Sequence, residues 1–362
     1  MKKSVLIMAG GIGERLWPLS RENKPKQFLK IGDNKSLIEK TISRALKITN
    51  EENIFIITGI RYKNAFNKYI PSFKEENIIY EPLGRDTAAA VTLGVLTIKE
   101  RIGNSIIAIL PADPIIKEED LFTKTLEEAV EVTSKTKKTV IIGIKPNRAE
   151  TGYGYIKLTD NIKDNEFKVE RFVEKPNLEN AKKFLENGNY LWNSGMFIWD
   201  IESVLEAVKS LMPDTYNKVI EAFNNIRDKE KLHLAKGIFS KIEKISFDFG
   251  IMEKLKDIIC IKAEFFWDDL GAFSALGRIY KKDKDNNVVI GNVHIKESKN
   301  NIIINDDNDF ITVDGINNLT IVKSNGALLI YSDNQDAKKW YYSAIETASA
   351  HDVFSGHSTT CR

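Results

Sequence analysis

The sequence predicts an α/β fold followed by a small all-β domain, and three observations carry that prediction. Short β-branched runs alternate with longer segments of helical spacing through the first two-thirds of the chain, the pattern of a mostly parallel sheet covered by helices. A charged break at Lys281-Lys282-Asp283-Lys284-Asp285-Asn286-Asn287 precedes short β runs separated by Asn, Asp and Gly turns. Length and composition allow both parts: 362 residues, 42% hydrophobic and 29% charged, suffice for about two domains and a large core.

In chain order the first run is Val5-Leu6-Ile7-Met8. Ile54-Phe55-Ile56-Ile57, Ile78-Ile79-Tyr80, Ile106-Ile107-Ala108-Ile109-Leu110 and Val140-Ile141-Ile142-Gly143-Ile144 follow it. Each is short, continuous and apolar, as a strand covered on both faces must be. Ser36 to Thr49, Thr87 to Arg101 and Leu121 to Ser134 carry helical spacing between them. Strand patterns over Tyr153 to Leu158 and Phe167 to Val173 come next, then a helix, a strand around Leu191 to Trp199, and more helices to about Lys256. All of this is expected to form one domain over residues 1–281. Residues 282–340 are the expected small β domain, in which no internal repeat stands out from spacing alone. Residues 341–362 form a tail of small polar residues without periodicity.

Lys plus Arg (53) nearly balance Asp plus Glu (51), leaving +2, so no bulk field holds a nucleic acid and none is expected as partner. Any anion site must be local. Cys260 and Cys361 lie far apart, which argues against a disulfide framework or a thiolate metal site and fits a reducing compartment. His233, His294, His351 and His357 are scattered without metal-ligand spacing. The apolar run after the N-terminus is too short for a signal peptide, and no stretch approaches the roughly 20 residues of a membrane helix. A cytoplasmic protein without a membrane partner is expected.

In α/β sheets ligands bind beyond the carboxyl ends of the strands, so chemistry is expected at Gly10 to Arg15, Glu81 to Thr87 and Pro111 to Asp113. In Gly10-Gly11-Ile12-Gly13-Glu14-Arg15-Leu16, continued by Lys24-Pro25-Lys26-Gln27-Phe28, glycines let backbone N–H groups approach an anion. Arg15, Arg21, Lys24, Lys26 and Lys30 supply countercharge against Glu14 and Glu22. A polyphosphate suits it. No Gly-Lys-Ser/Thr closes a P-loop, and Leu16 replaces the third glycine of a dinucleotide fingerprint; the alternative is a tight turn with a solvated basic face. Asp113, after the most apolar run, could be half of a site for a hard divalent cation, or a turn-forming Asp before Pro114. Asp268-Asp269 is expected to open a helix ending near Tyr280, either as a second carboxylate for that cation or as acids at a helix N-terminus. Glu174-Lys175 could hold a sugar phosphate or form an exposed ion pair. Gly84-Arg85-Asp86-Thr87 could read a base edge or cap the following helix. Thr151-Gly152-Tyr153-Gly154 and Trp192-Asn193-Ser194-Gly195-Met196-Phe197 could be site loops or turns and core aromatics.

Taken in order, Gly-Gly-x-Gly-x-Arg-Leu-Trp-Pro-Leu-Ser-Arg, Pro-Lys-Gln-Phe, Pro-x-Gly-Arg-x-Thr-Ala, Pro-Ala-Asp, Thr-Gly-Tyr-Gly-Tyr-Ile, Phe-Val-Glu-Lys-Pro, Trp-Asn-Ser-Gly-Met-Phe and Trp-x-Asp-x-Gly resemble the sugar-1-phosphate nucleotidyltransferases, over roughly residues 3 to 335. The resemblance implies a Rossmann-like domain with a mixed, mostly parallel sheet, and a C-terminal β domain for which a left-handed β-helix used in dimerisation is one form. It implies transfer of GMP from GTP to mannose 1-phosphate with release of pyrophosphate, with Mg²⁺ as cofactor and a homodimer as the assembly. Carried over by motif, Gly10, Gly11, Gly13 and Arg15 cradle the triphosphate, and Lys26 neutralises charge near the α-phosphate. Gly84, Arg85 and Thr87 belong to the guanine and ribose site. Gly154, Glu174 and Asn193 contact the sugar, Lys175 its phosphate, and Asp113 and Asp269 the metal. The same chemistry with heptose 1-phosphate, or with glucose 1-phosphate and a thymidine nucleotide, and a catalytically silent nucleotide-sugar binder are the alternatives. Pro114 stands where the family commonly has His, and Asp86 where Asn is common. The isomerase domain of longer relatives is not seen, so no second activity is expected.

Overall fold

The computed structural model describes residues 2–226 and 229–332; the expected tail 341–362 lies outside the described residues. Four strands, β1 (Lys3–Met8), β2 (Ile54–Gly59), β3 (Ile78–Glu81) and β4 (Ile106–Pro111), pair in parallel in the order β3-β2-β1-β4. Helices α1 (Leu37–Ala45), α2 (Lys63–Tyr69) and α3 (Asp86–Ile102) connect them. Ser36 and Glu39 start α1 with reciprocal side-chain to backbone bonds, the device that satisfies a helix's first free N–H groups.

After β4 come a two-residue strand β5 (Ile115–Ile116), α4 (Glu119–Thr136), β6 (Val140–Ile144), β7 (Tyr155–Lys163), β8 (Glu166–Val173), α5 (Leu178–Asn187) and β9 (Tyr190–Asp200). Helices α6 (Ile201–Leu211), α7 (Pro213–Ile226) and α8 (Leu232–Ser240), a π-helical turn at Asp248–Met252 and β10 (Ile259–Lys262) follow. The nine-stranded sheet runs β3-β2-β1-β4-β9-β6-β10-β8-β7. Its parallel character holds across β3 to β4 and between β6 and β10, while β9 pairs antiparallel with β4, β6 and β7. The sheet is thus mixed.

Successive residues of β1 serve opposite cores. Val5 and Ile7 pack with Ile38, Phe66, Phe122 and Phe184 from α1, α2, α4 and α5. Leu6 packs with Leu93, Val204, Val219 and Phe239 from α3, α6, α7 and α8. With both faces covered, polar alternation disappears from the strands, which is why they read as continuous apolar runs. Strand order reverses between β1 and β4, and the crevice at such a reversal is where α/β sheets place ligands.

The expected helix at Asp268-Asp269 is not there. Trp267–Asp268 forms a short strand, β11, antiparallel to β5, with Asp268 opposite Ile115. Leu270 then turns with φ 49°, and the helix, α9, spans only Leu276–Ile279. The β5–β11 ladder has a consequence for the acids: it carries Asp269 back to the segment just after Asp113.

Beyond residue 282, β12 (Val288–Ile290), β14 (Ile302–Asn305) and β16 (Leu319–Ser324) stack in parallel, as do β13 (Val293–Lys296) and β15 (Ile311–Asp314); β17 (Ala327–Ser332) closes the stack antiparallel to β16. These are coils of a parallel solenoid, whose repeat sits in the turns. Asn286, Asn300 and Asn318 each take a positive φ, and Asn286 and Asn300 donate in sequence to Asn300 and Asn318 at 2.7 and 3.1 Å. Left-handed backbone is cheapest for Asn after Gly, so an Asn two residues before the paired positions Val288, Ile302 and Thr320 marks each coil. The solenoid docks on the sheet domain through Ile304 and Val322, which pack with Leu16, Leu19, Leu270 and Phe273.

Candidate active site

The loop after β1 builds the site's floor. Gly13 has φ 77°, and a Cβ there would lie 2.4 Å from Lys26 Cβ, so only glycine lets the two arms of the loop close. The Lys26 amide donates to Ile12 O at 2.9 Å. Its ammonium lies 2.7 Å from Asp113 Oδ2 and also donates to the Asp269 carbonyl. Gly10, Gly11, Gly13, Arg15, Lys26, Asp113 and Asp269 line one cavity of 410 Å³.

Within the acidic pair the two residues have separate work. Asp268 is buried, with Oδ2 accepting from Arg278 Nε at 2.7 Å and Oδ1 from Leu270 N at 2.9 Å. Asp269 turns into the cleft, where its Oδ1 accepts from Gly271 N and from the Tyr153 hydroxyl. Burial raises the Asp269 pKa, with the Asp268 and Asp113 charges adding to it, while Lys26 and Tyr153 oppose. Among the described residues no cluster of three or more His, Cys, Asp or Glu could hold a metal. Asp113 and Asp269 nevertheless line the same cavity, and the Asp113 charge bears on Asp269; such a pair fits a hard divalent ion, which takes one or two protein carboxylates and completes its shell with water and phosphate oxygens.

A second cavity of 420 Å³ adjoins the first, sharing Gly10, Gly11 and Asp113 and adding Gln27, Glu81, Gly84, Asp86 and Thr87. Glu81 ends β3 only 5% exposed, and its Oε1 has no hydrogen-bond partner. Burial, then the Asp86 charge, pushes its carboxyl up to about 8, against the opposing Arg61. Asp86 has φ 63°, and its Oδ1 accepts from the adjacent Thr87 N at 2.7 Å; it is the first residue of α3 and not its N-cap, which is Arg85. Asp and Asn both tolerate this conformation, so Asp86 keeps the turn that Asn would make.

The residues expected to meet the sugar phosphate lie together where β7, β8 and β9 meet. The Asn193 amide donates to Gly154 O at 2.8 Å, and a Cβ on Gly154 would lie 2.5 Å from Glu174 Oε2. Glu174 Oε1 pairs with Lys175 Nζ at 2.8 Å, while Oε2 is buried without a partner. Burial works against the Lys175 charge, but the Glu174 contact and the Asp248 and Asp86 charges lift its pKa above the ordinary value. Tyr153 on Asp269 and Gly154 beside Glu174 are sequence neighbours, so one loop joins the carboxylate pair to this cluster.

Residues 4–286 match the model of the family described as nucleotidyl transferase. The chain belongs to that family. It is 37% identical over 347 residues to a mannose-1-phosphate guanylyltransferase of Salmonella muenchen, covering 92% of this chain and 72% of that protein. To a mannose-1-phosphate guanylyltransferase of Escherichia coli it is 36% identical over 341 residues, covering 90% and 71%. A crystal structure from Thermus thermophilus, described as mannose-1-phosphate geranyltransferase, superposes with a TM-score of 0.84 at 28% identity, covering 97% of this chain and all of that one.

In this nucleotidyl transferase not every cation expected at the phosphate loop faces the cleft. Arg21 is buried and donates to Ser324 O at 3.0 Å, and Lys24 lies 3.6 Å from Asp306; neither they nor Lys30 line the phosphate cavity. Arg21 and Lys24 hold the solenoid instead. Arg85 likewise lies outside the second cavity's lining, its Nε donating to Phe239 O at 2.8 Å, and Thr87 Oγ1 accepts from Phe247 N at 2.7 Å. Sequence reasoning placed Glu81 at the start of the expected segment Glu81 to Thr87 without giving it a role, and it missed Arg61, the contact of Tyr153 with Asp269, and Asp248. Arg61 lies just past the carboxyl end of β2, where the strand-end rule that pointed to Glu81 could have found it too. Asp248 follows no strand and carried no such signal. Among the described residues no helix is long and apolar enough to cross a membrane.

Proposed function

We propose that this nucleotidyl transferase moves GMP from GTP to mannose 1-phosphate, releasing pyrophosphate, with Mg²⁺ as the divalent ion. The observation that carries the reading is the convergence of Gly13, Lys26, Asp113 and Asp269 on one cavity, in a chain whose relatives are mannose-1-phosphate guanylyltransferases over about nine-tenths of its length. GTP lies along both cavities, its guanine toward Glu81 and Gly84 and its triphosphate over Gly10 to Arg15. Mannose 1-phosphate sits among Gly154, Glu174, Lys175 and Asn193.

A phosphate oxygen of the sugar phosphate attacks the α-phosphorus of GTP, and the bond from that phosphorus to the β-bridging oxygen breaks. The nucleophile is already an anion, so no side chain need take its proton. The work is positioning and charge stabilisation. Two like charges 4 Å apart repel by about 4 kcal/mol at an effective dielectric near 20. Lys26 and Arg15 offset that repulsion on the triphosphate and Lys175 on the sugar phosphate. When bound to Asp113 and Asp269, the ion would supply further positive charge to the phosphate oxygens.

Pyrophosphate release measured over a grid of four nucleoside triphosphates and several sugar 1-phosphates tests the reading. Mannose 1-phosphate with GTP is the expected best pair, and no release from it rejects the proposal. Lys175→Ala is expected to raise KM for mannose 1-phosphate about tenfold, the scale of one charge-assisted contact to phosphate, with little change in KM for GTP. Steady-state kinetics with each substrate varied in turn check this.

A further inference from the structure

One stretch, from the end of α8 through the π-helical turn, contacts both the residues assigned above to the nucleotide and those assigned to the sugar phosphate. On the nucleotide side Ala88 N donates to Ile245 O at 3.2 Å, and Phe247 N donates to Thr87 Oγ1 at 2.7 Å. On the sugar side Asn193 Nδ2 donates to Asp248 Oδ1 at 2.7 Å, and Glu174 N donates to Glu253 Oε1 at 3.0 Å. The backbone that carries Asp248 is thus anchored to the start of α3 before it reaches Asn193.

An asparagine amide presents a donor at one end and an acceptor at the other, and a half-turn exchanges them. At Asn193 both ends are specified. Its Oδ1 accepts from Gly195 N at 2.9 Å, where Gly195 adopts φ 72°, and its Nδ2 faces Asp248. An ionised carboxylate can only accept, so the amide end that meets it must be NH₂. Burial, with the Glu174 charge added, pushes Asp248 up to about 6, while the Asn193 bond and Lys175 oppose. The Asn193 bond and Lys175 favour the ionised form, in which both Asp248 oxygens can only accept.

We propose that Asp248 is a positioning residue for the sugar-phosphate half of the site: it fixes the orientation of the Asn193 amide, and so decides whether that amide meets a sugar hydroxyl as donor or as acceptor. The inference rests on the assignment of Asn193 to the sugar given above. Asp248 acts through Asn193, and nothing in the role requires it to touch the substrate. Glu174, whose charge bears on Asp248 and whose Oε2 is buried without a partner, completes the polar group that the sugar would meet.

The test is a double-mutant cycle read in KM for each substrate. Asp248→Ala should raise KM for mannose 1-phosphate roughly tenfold, the effect of one misdirected hydrogen bond, and leave KM for GTP within about twofold. Asp248→Asn, whose amide carbonyl can still accept from Asn193, should recover most of the loss even if the alanine variant folds poorly. In the Asn193→Ala background, Asp248→Ala should add nothing, because the group it orients is gone. Additive penalties in the cycle, or equal rises in both KM values, would overturn the role. A wild type that rejects mannose 1-phosphate but turns over another hexose 1-phosphate overturns the choice of sugar alone, and the cycle is then read with that sugar. A wild type that turns over none of them overturns both.

Discussion

Asp113→Ala and Asp269→Ala are each expected to lower turnover by about 10³-fold, the loss that follows when several kcal/mol of charge stabilisation leave the transition state. Both carboxylates line the phosphate cavity, and Lys26 touches the side chain of one and the backbone carbonyl of the other. Either substitution strips a donor from the pair, and the Asp113 change also leaves Lys26 without its ion-pair partner. Pyrophosphate release at saturating substrates measures the first consequence, and calorimetric titration with Mn²⁺ measures the second, a weaker ion site. A variant retaining near-normal turnover and Mn²⁺ affinity would show that the two aspartates do not share an ion.

Glu81→Gln is expected to lower kcat/KM for GTP about 100-fold and to narrow the preference over ATP, since a site built to pair a substrate's N–H groups discriminates through them. A carboxylate offers two acceptors, which suits the adjacent N–H donors of guanine; glutamine must turn a donor toward one of them. In the substrate-free protein burial and the Asp86 charge outweigh the opposing Arg61, and the Glu81 carboxyl lies at about 8. The sign for stability follows. The folded state holds this proton more tightly than the unfolded chain, so the contribution of Glu81 to stability falls as pH rises from the ordinary carboxylate range toward 8. Thermal melts should show that fall in the wild type and a flatter profile in Glu81→Gln. Unchanged nucleotide preference, checked by competition between GTP and ATP, would remove Glu81 from the base site.

The sheet was legible because burial on both faces erases polar alternation, and runs such as Ile106 to Leu110 are short and rich in β-branched residues, as covered strands are. The helix expected at Asp268 was misread for a local reason. Acids before apolar residues look like a helix start, whereas pairing of Trp267 and Asp268 with Ile116 and Ile115 is a long-range contact that no local pattern records. The same blindness affected Arg21 and Lys24: sequence counts their charge, but only tertiary structure shows it spent on Ser324 O and Asp306. The solenoid's repeat was present in Asn286, Asn300 and Asn318, each two residues before the paired Val288, Ile302 and Thr320, but the uneven length of its coils hid the period. Asp248 was invisible because its contact with Asn193 joins positions 55 residues apart.

Docking of the solenoid through Ile304, Val322 and the Arg21 guanidinium makes the phosphate loop a splinted element. Leu16 and Leu19, only one and four residues past Arg15, have their shelter partly in the last described coils. A protease cut or frameshift beyond residue 300 would therefore be felt in the glycine loop after β1, which the proposed function assigns to the triphosphate.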